Sequence, residues 1–230
     1  MYLVPRASDS FVTTQIINNI RDDEDHGIKK FRNLIFTSSE MKSKNSLQLT
    51  LAILKPHVVK SPFVLQKIRD LIIENDFKVV RSRRTVMTLE EAGLFYSDHK
   101  EKFFFNRLIT FMCSGPSDIH ILAGHDAILR WRQLMGPTKV YQAQFTAPDT
   151  IRGMFGLSDT RNATHGSDAP DSAEREIKIF FKDFDAKKWY DDEEIFYNLG
   201  RTHFNPSTFL HTIDKSTKIG GETADSPRTD

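Results

Sequence analysis

The chain has 230 residues, 39% of them hydrophobic, enough to bury one substantial core in a single domain flanked by tails. Its 32 basic side chains nearly balance 31 acidic ones, for a formal net charge of +1, which excludes a global field drawing it onto nucleic acid or an anionic membrane. The single cysteine, Cys113, rules out an intramolecular disulfide and a cysteine-built zinc site, and no apolar run approaches the roughly 18 residues of a membrane span.

Residues 1 to 45 lack a sustained hydrophobic period and carry the acidic run RDDED ahead of IKKFRN; they are expected to form a flexible N-terminal extension. Arg6, Phe11, Ile16, Ile17 and Ile20, with Asp9 the one acid among them, fit an organelle transit peptide, whereas the acids from Asp22 to Asp25 fit a disordered arm. Mitochondrial and cytoplasmic locations both stay open.

Order begins with LQLTLAIL, residues 47 to 54, an apolar run of strand length closed by Lys55-Pro56. Ser61-Pro62 reads as the cap and first-turn proline of a helix whose Val64, Ile68, Leu71 and Ile72 share a face. FKVVRSRRTVM alternates Val79, Arg81 and Arg83 against Val80, Ser82 and Arg84, as a partly solvated strand does. Thr88 and Glu91 have the spacing of a capping box for a helix reaching about Asp98, and EKFFFNRLITFM reads as another helix before Gly115-Pro116. SDIHILAG is a short strand, and HDAILRWRQLMG a helix with Ile128, Trp131 and Met135 on one face and Gly136 as its stop. Residues 137 to 148 show no clear period and read as a long loop. A last short strand is expected near His165. Asp171 with Glu174 resembles a second capping box, for a helix burying Ala173, Ile177 and Phe180.

After Phe184 the chain turns polar, and its end, GGETADSPRTD, is expected to be disordered. The order of elements predicts an α+β fold, a ferredoxin-like split βαβ sandwich in which a small antiparallel sheet carries helices on one face. The expected boundaries are an extension over 1–45, a domain over 46–183 and a C-terminal extension over 184–230.

TRNATHGSD, residues 160 to 168, sets His165 between Thr164 and Gly166, with Asn162 behind and Ser167 ahead. A lone histidine in such a turn is more often structural than reactive. A nucleophilic imidazole needs a fixed tautomer, hence an acceptor on the nitrogen that does not attack. Glu176 is a candidate: three residues from Ala173 and four from Phe180, it sits at the edge of the buried stripe, able to turn back toward the sheet. The same spacing also suits an exposed helix acid. Attack on a phosphoryl group further requires that polyphosphate charge be neutralised. No GxxxxGKS loop is present, so side chains must do this. The candidates are Lys55 past a strand end, Arg132 on an amphipathic helix and Arg152 in TIRGMFG, with Thr138 and Asn162. Singly, each is of a type common on surfaces; their weight lies in the set.

LAILKP, FMCSGP, MGPT, TIRGMFG and NATHGSD, followed by SAERE, occur in the order and near the spacing found in the nucleoside diphosphate kinases. Over about residues 47 to 182 the chain resembles that family, and MGPT, DTRN, FKDF and KWY are similar to a divergent branch of it. The resemblance implies that His165 is the nucleophile. It would take the γ-phosphate of a nucleoside triphosphate, typically ATP, and pass it to a nucleoside diphosphate in a ping-pong cycle through phosphohistidine. Lys55, Arg132, Arg152, Thr138 and Asn162 are then implied to contact phosphates and ribose, and Glu176 and Ser167 to orient the histidine. Tyr96 would pack near the site and Phe104 would stack on the base, a mode without a donor or acceptor code and hence of broad specificity. The resemblance further implies Mg²⁺ held mainly by the nucleotide phosphates, with no dedicated protein cage, and a homo-oligomer, dimer or hexamer.

The family's Lys-Pro-Asp is here Lys55-Pro56-His57, and the acid of its Arg-Gly-Asp-Phe is Met154. The loop between Thr138 and Arg152 is lengthened, and the tail after residue 183 has no counterpart in short members. These departures keep two further functions open: a catalytically weak binding module acting through a protein partner, and a nucleotide sensor stabilised by ligand without turnover.

Overall fold

The computed structural model describes residues 46–214; the expected flexible extension and disordered end lie outside the described residues. In chain order, β1 (Gln48–Leu54) leads through a short α1 (Pro56–Val59) to α2 (Pro62–Glu74) and β2 (Lys78–Thr85). α3 (Leu89–Phe95) and α4 (Phe105–Met112) precede β3 (Ser117–Gly124). α5 (Ala127–Met135), α6 (Val140–Thr146) and α7 (Ile151–Phe155) precede β4 (Thr164–Gly166), and α8 (Pro170–Phe180) follows. α9 (Ala186–Asp192), α10 (Glu194–Asn198) and the strands β5 (Thr202–Asn205) and β6 (Leu210–Ile213) complete the described chain.

The sheet order is β2-β3-β1-β4, with every neighbouring pair antiparallel, the arrangement of a ferredoxin-like split βαβ fold. Helices cover both faces of this sheet, not the single face expected. The cause lies in the central strands: β1 and β3 are almost continuously apolar and buried, so each needs an apolar neighbour on both sides. On one face Leu49, Leu51 and Ile53 pack with Phe95, Met112, Ile177 and Phe180. On the other, Ala52 and Leu54 pack with Ile68, Ile72, Trp131 and Met135.

Several local expectations are corrected. Ser61 precedes α2, but its side chain makes no capping bond. In β2 a register shift between Val79 and Arg81 breaks the alternation, so that Val79 and Val80 are both buried. The Thr88–Glu91 capping box is formed in both directions, yet its helix stops at Phe95 and continues only as a 3₁₀ turn over Ser97–His99. The stretch expected as a long loop contains α6, of which only Val140 and Ala143 are buried. Tyr141 and Phe145 point outward, and apolar residues on both sides blur the helical period. Asp171 caps nothing: Ala169 is the N-cap of α8, Pro170 opens it, and Asp171 lies within the first turn, where its charge suits the helix dipole.

Residues 184–214 belong to the same compact unit as the domain. Trp189 of α9 is buried in the core beside Leu49 and Phe180. The Glu194 carboxylate accepts from the Leu47 N–H at 2.8 Å. In the turn between β5 and β6, Phe209 packs on His120 at 5.0 Å, under the guanidinium of Arg69 at 4.6 Å. His211 Nδ1 accepts from the Val79 N–H at 2.9 Å, a role open only to an unprotonated nitrogen; burial, then the Lys78 charge, hold its ring down to about 4.

Replacing a buried tryptophan by alanine removes its packing and leaves a cavity. Trp189→Ala should therefore cost about 3–5 kcal/mol in urea unfolding. A loss below about 1 kcal/mol would show that α9 rests on the domain without contributing to its core.

Candidate active site

His165 sits in β4, a three-residue edge strand paired with β1, Ile53 opposite His165. The chain enters the strand through Ala163 in the left-handed region, φ 66°, whose carbonyl accepts from the Lys55 N–H at 3.0 Å. That link ties the end of β1 to the start of β4. Glu176, from the second turn of α8, is buried. Its Oε2 lies 3.0 Å from His165 Nε2 and accepts from Ser167 Oγ at 2.7 Å. Ser167 Oγ in turn accepts from the Leu51 N–H at 3.2 Å. An ionised carboxylate only accepts hydrogen bonds, so it draws the imidazole proton to Nε2 and leaves a lone pair on Nδ1. Nδ1 has no hydrogen-bond partner among the described residues. The edge of the Phe95 ring packs on the imidazole at 4.7 Å.

The second group is cationic. Lys55 is buried, with Nζ donating to Asn162 Oδ1 at 2.6 Å and to the Thr160 carbonyl at 3.3 Å. Burial, then the Arg152 charge, lower its ammonium to about 7. Arg152 is also buried and pairs with no carboxylate among the described residues; it donates to the carbonyls of Gly136 at 2.8 Å and Thr164 at 3.1 Å. Burial, then Arg132, bring it down to about 10. Asn162 Nδ2 reaches the Thr138 carbonyl at 3.2 Å, so one side chain joins the Lys55 ammonium to the turn after α5. Buried positive charge without a counter-charge is costly, and an anionic ligand relieves it.

These groups line one cleft of about 1120 Å³, large for a small-molecule site, where about 300–1,000 Å³ is usual. Lys55, Tyr96, Phe104, Arg132, Thr138, Arg152, Asn162, His165 and Glu176 all border it, and Ser167 stands behind Glu176. Tyr96 is buried, and burial, then the Glu176 charge, push its phenol far above its usual range. At the mouth Phe104 meets His99 at 5.7 Å and the 93% exposed Phe103 at 5.5 Å. Every site residue expected from the sequence is thus brought to one place.

Several residues at the site escaped the sequence reading. Phe95 was not singled out, Trp131 was legible only as one of an apolar face, Thr160 acts through its backbone, and the pair Asp98–Arg175, 3.3 Å apart, joins two distant segments on the cleft wall. The Ser172 hydroxyl holds the Asp168 carboxyl, also on the cleft wall, below the usual range. Of the two residues whose type departs from the pattern, His57 is half-buried against Phe111 at 5.6 Å. Burial, then the charges of Lys55 and Arg161, hold its ring down to about 4, so it stands there uncharged. Met154 is exposed. Among the described residues no group of three or more His, Cys, Asp and Glu is placed to hold a metal ion, and no helix is long and apolar enough to cross a membrane.

A family model described as nucleoside diphosphate kinase matches residues 48–186. Nucleoside diphosphate kinase 6 of Mus musculus is 47% identical over 174 residues, covering 76% of this chain and 92% of that protein. The solved nucleoside diphosphate kinase of Aquifex aeolicus superposes with a TM-score of 0.57 at 40% identity, covering 59% of this chain and 96% of its own. The halophilic enzyme of Halobacterium salinarum, solved in complex with CDP, gives 0.55 at 34% identity, covering 62% and 97%.

The depressed Lys55 predicts a pH dependence of known sign. Below about pH 7 both folded and unfolded lysines are protonated and the burial penalty is constant; from about 7 toward the ordinary 10.5 only the unfolded lysine keeps its proton. Stability of the ligand-free protein should therefore rise with pH across that window. Melting temperatures from pH 7 to 10 should show this limb in the wild type and a flatter one in Lys55→Met; parallel curves would rule out the proposed deprotonation.

Proposed function

Because the chain belongs to the nucleoside diphosphate kinase family, on its nucleoside diphosphate kinase 6 branch, we propose that it moves the γ-phosphate of a nucleoside triphosphate to a nucleoside diphosphate through His165. The observation that carries this reading is the contact of His165 Nε2 with the Glu176 carboxylate at 3.0 Å, which leaves Nδ1 as the nitrogen with a lone pair. In the first half-reaction Nδ1 attacks the γ-phosphorus. A P–N bond forms, the bond to the β,γ-bridging oxygen breaks, and the diphosphate leaves with that electron pair. The positive charge that develops on the ring is balanced through Nε2–H by Glu176, itself held by Ser167. In the second half a terminal β-phosphate oxygen of another nucleoside diphosphate attacks the same phosphorus and breaks the P–N bond.

Lys55, Arg132 and Arg152 supply the positive charge that polyphosphate oxygens need as negative charge shifts among them. Thr138 and Asn162 offer neutral hydrogen bonds to ribose and phosphate, and Phe104 a face for the base beside Tyr96. A Mg²⁺ would be held mainly by the nucleotide phosphates, whose charge it would shield, and the Asp98 and Asp168 carboxylates on the cleft wall would accept hydrogen bonds from its bound waters.

Incubation with γ-labelled ATP should give an acid-labile, alkali-stable phosphoprotein, absent in His165→Ala. Glu176→Gln should slow labelling by between about 100-fold and 10,000-fold, the scale of losing the carboxylate that sets a catalytic histidine's tautomer. Label retained in His165→Ala would refute the nucleophile, and label in the wild type only after adding a cell extract would favour a binding module that works through a partner.

A further inference from the structure

We propose that Trp131 is a positioning residue for the nucleophile, its indole N–H fixing the backbone of His165; the proposal rests on the phosphohistidine reading above. β4 has three residues and pairs with the sheet on one side only, so the strand that carries His165 is the least supported in the sheet. Trp131 compensates from α5. It is fully buried, and its Nε1–H donates to the His165 carbonyl at 3.1 Å.

The indole lies directly against the strand. A Cβ built on Gly166 would stand 2.3 Å from Trp131 Cδ1 and 2.6 Å from its Nε1, so the glycine after His165 is what lets the ring come this close. Side chains alternate along a strand; the His165 ring therefore faces the cleft while the indole holds the strand from the opposite face. Phe77 meets the indole edge to face at 5.9 Å and keeps it from turning.

Filling the core asks only for an apolar ring. The N–H aimed at the nucleophile's own carbonyl is an added function, and it couples two parts of the site. Arg132 follows Trp131 on the same helical turn, and successive residues on a helix diverge by about 100°, so one points into the core and the other borders the cleft. The turn that anchors His165 is also the turn that presents a cation to the phosphates.

The test compares single-turnover phosphorylation by ATP, and ADP binding, for wild type, Trp131→Phe and protein with benzothienylalanine at this position, an isostere with sulfur in place of the N–H. Both replacements should slow phosphorylation about tenfold, as a small misplacement of a reacting group does, with ADP affinity within about twofold. Azatryptophan, which keeps the N–H, should restore the wild-type rate. If Trp131→Phe does not fold, the isostere decides alone. An isostere that reacts at the wild-type rate, or an affinity that falls in step with the rate, overturns the proposal while the phosphohistidine reading stands. A wild type that takes no label overturns both.

Discussion

A carboxylate taken out of water needs hydrogen-bond donors, and the buried Glu176 meets two groups from one short stretch of chain, His165 in β4 and Ser167 just past its end. Its Oε2 meets both His165 Nε2 and Ser167 Oγ, and Ser167 passes the constraint to the Leu51 N–H in the centre of the sheet. Hydrogen bonds to a charged partner are each worth about 1.5–3 kcal/mol. This small network therefore fixes where α8 sits on β1 and β4, and with it which imidazole nitrogen is free. Removing the carboxylate would disturb packing and chemistry together, because the same two contacts serve both.

The other half of the site is held on the opposite principle. Lys55 and Arg152 are buried beside each other and answered by carbonyls and an amide, not by acids. Their lowered proton affinities express the cost. A protein selected for stability alone would pair or expose such charges. Such charges suit an anionic ligand, which would supply the counter-charge the fold withholds. Between the two halves runs the turn that carries Asn162 and Ala163: Asn162 accepts from the Lys55 ammonium and donates to the Thr138 carbonyl, while Ala163 binds the Lys55 backbone.

The departures from the family pattern fall around this arrangement without entering its hydrogen bonds. His57 is uncharged beside Lys55, so it neither answers nor adds to the cationic charge. Met154 faces solvent on a helix whose Arg152 points inward. The segment beyond residue 183 adds Trp189 and the Phe209 turn to the two sides of the sheet core, away from the cleft. The chemistry of the site and the enlargement of the core are thus separable features of one chain.

By itself the sequence determined β1 to β4, the helices α2, α3, α4, α5 and α8 and the ferredoxin-like order, and it nominated His165, Glu176, Ser167 and their cationic partners as the candidate site, because periodicity and short motifs are local properties; it showed neither α1, α7, α9 and α10 nor β5 and β6. It missed α6, where outward Tyr141 and Phe145 blur the pattern, and the second covered face of the sheet, which depends on what the rest of the chain can lay there. Ser61 and Asp171 had capping side chains at capping spacings and do not cap, since a hydrogen bond depends on geometry that composition does not contain. Only the tertiary structure decided that Nε2 and not Nδ1 meets Glu176, that burial and the Arg152 charge lower the proton affinity of Lys55, and that Trp131 reaches the His165 carbonyl. Each of these depends on distances between groups remote in sequence, and on the low dielectric that exists only once the chain has closed around them.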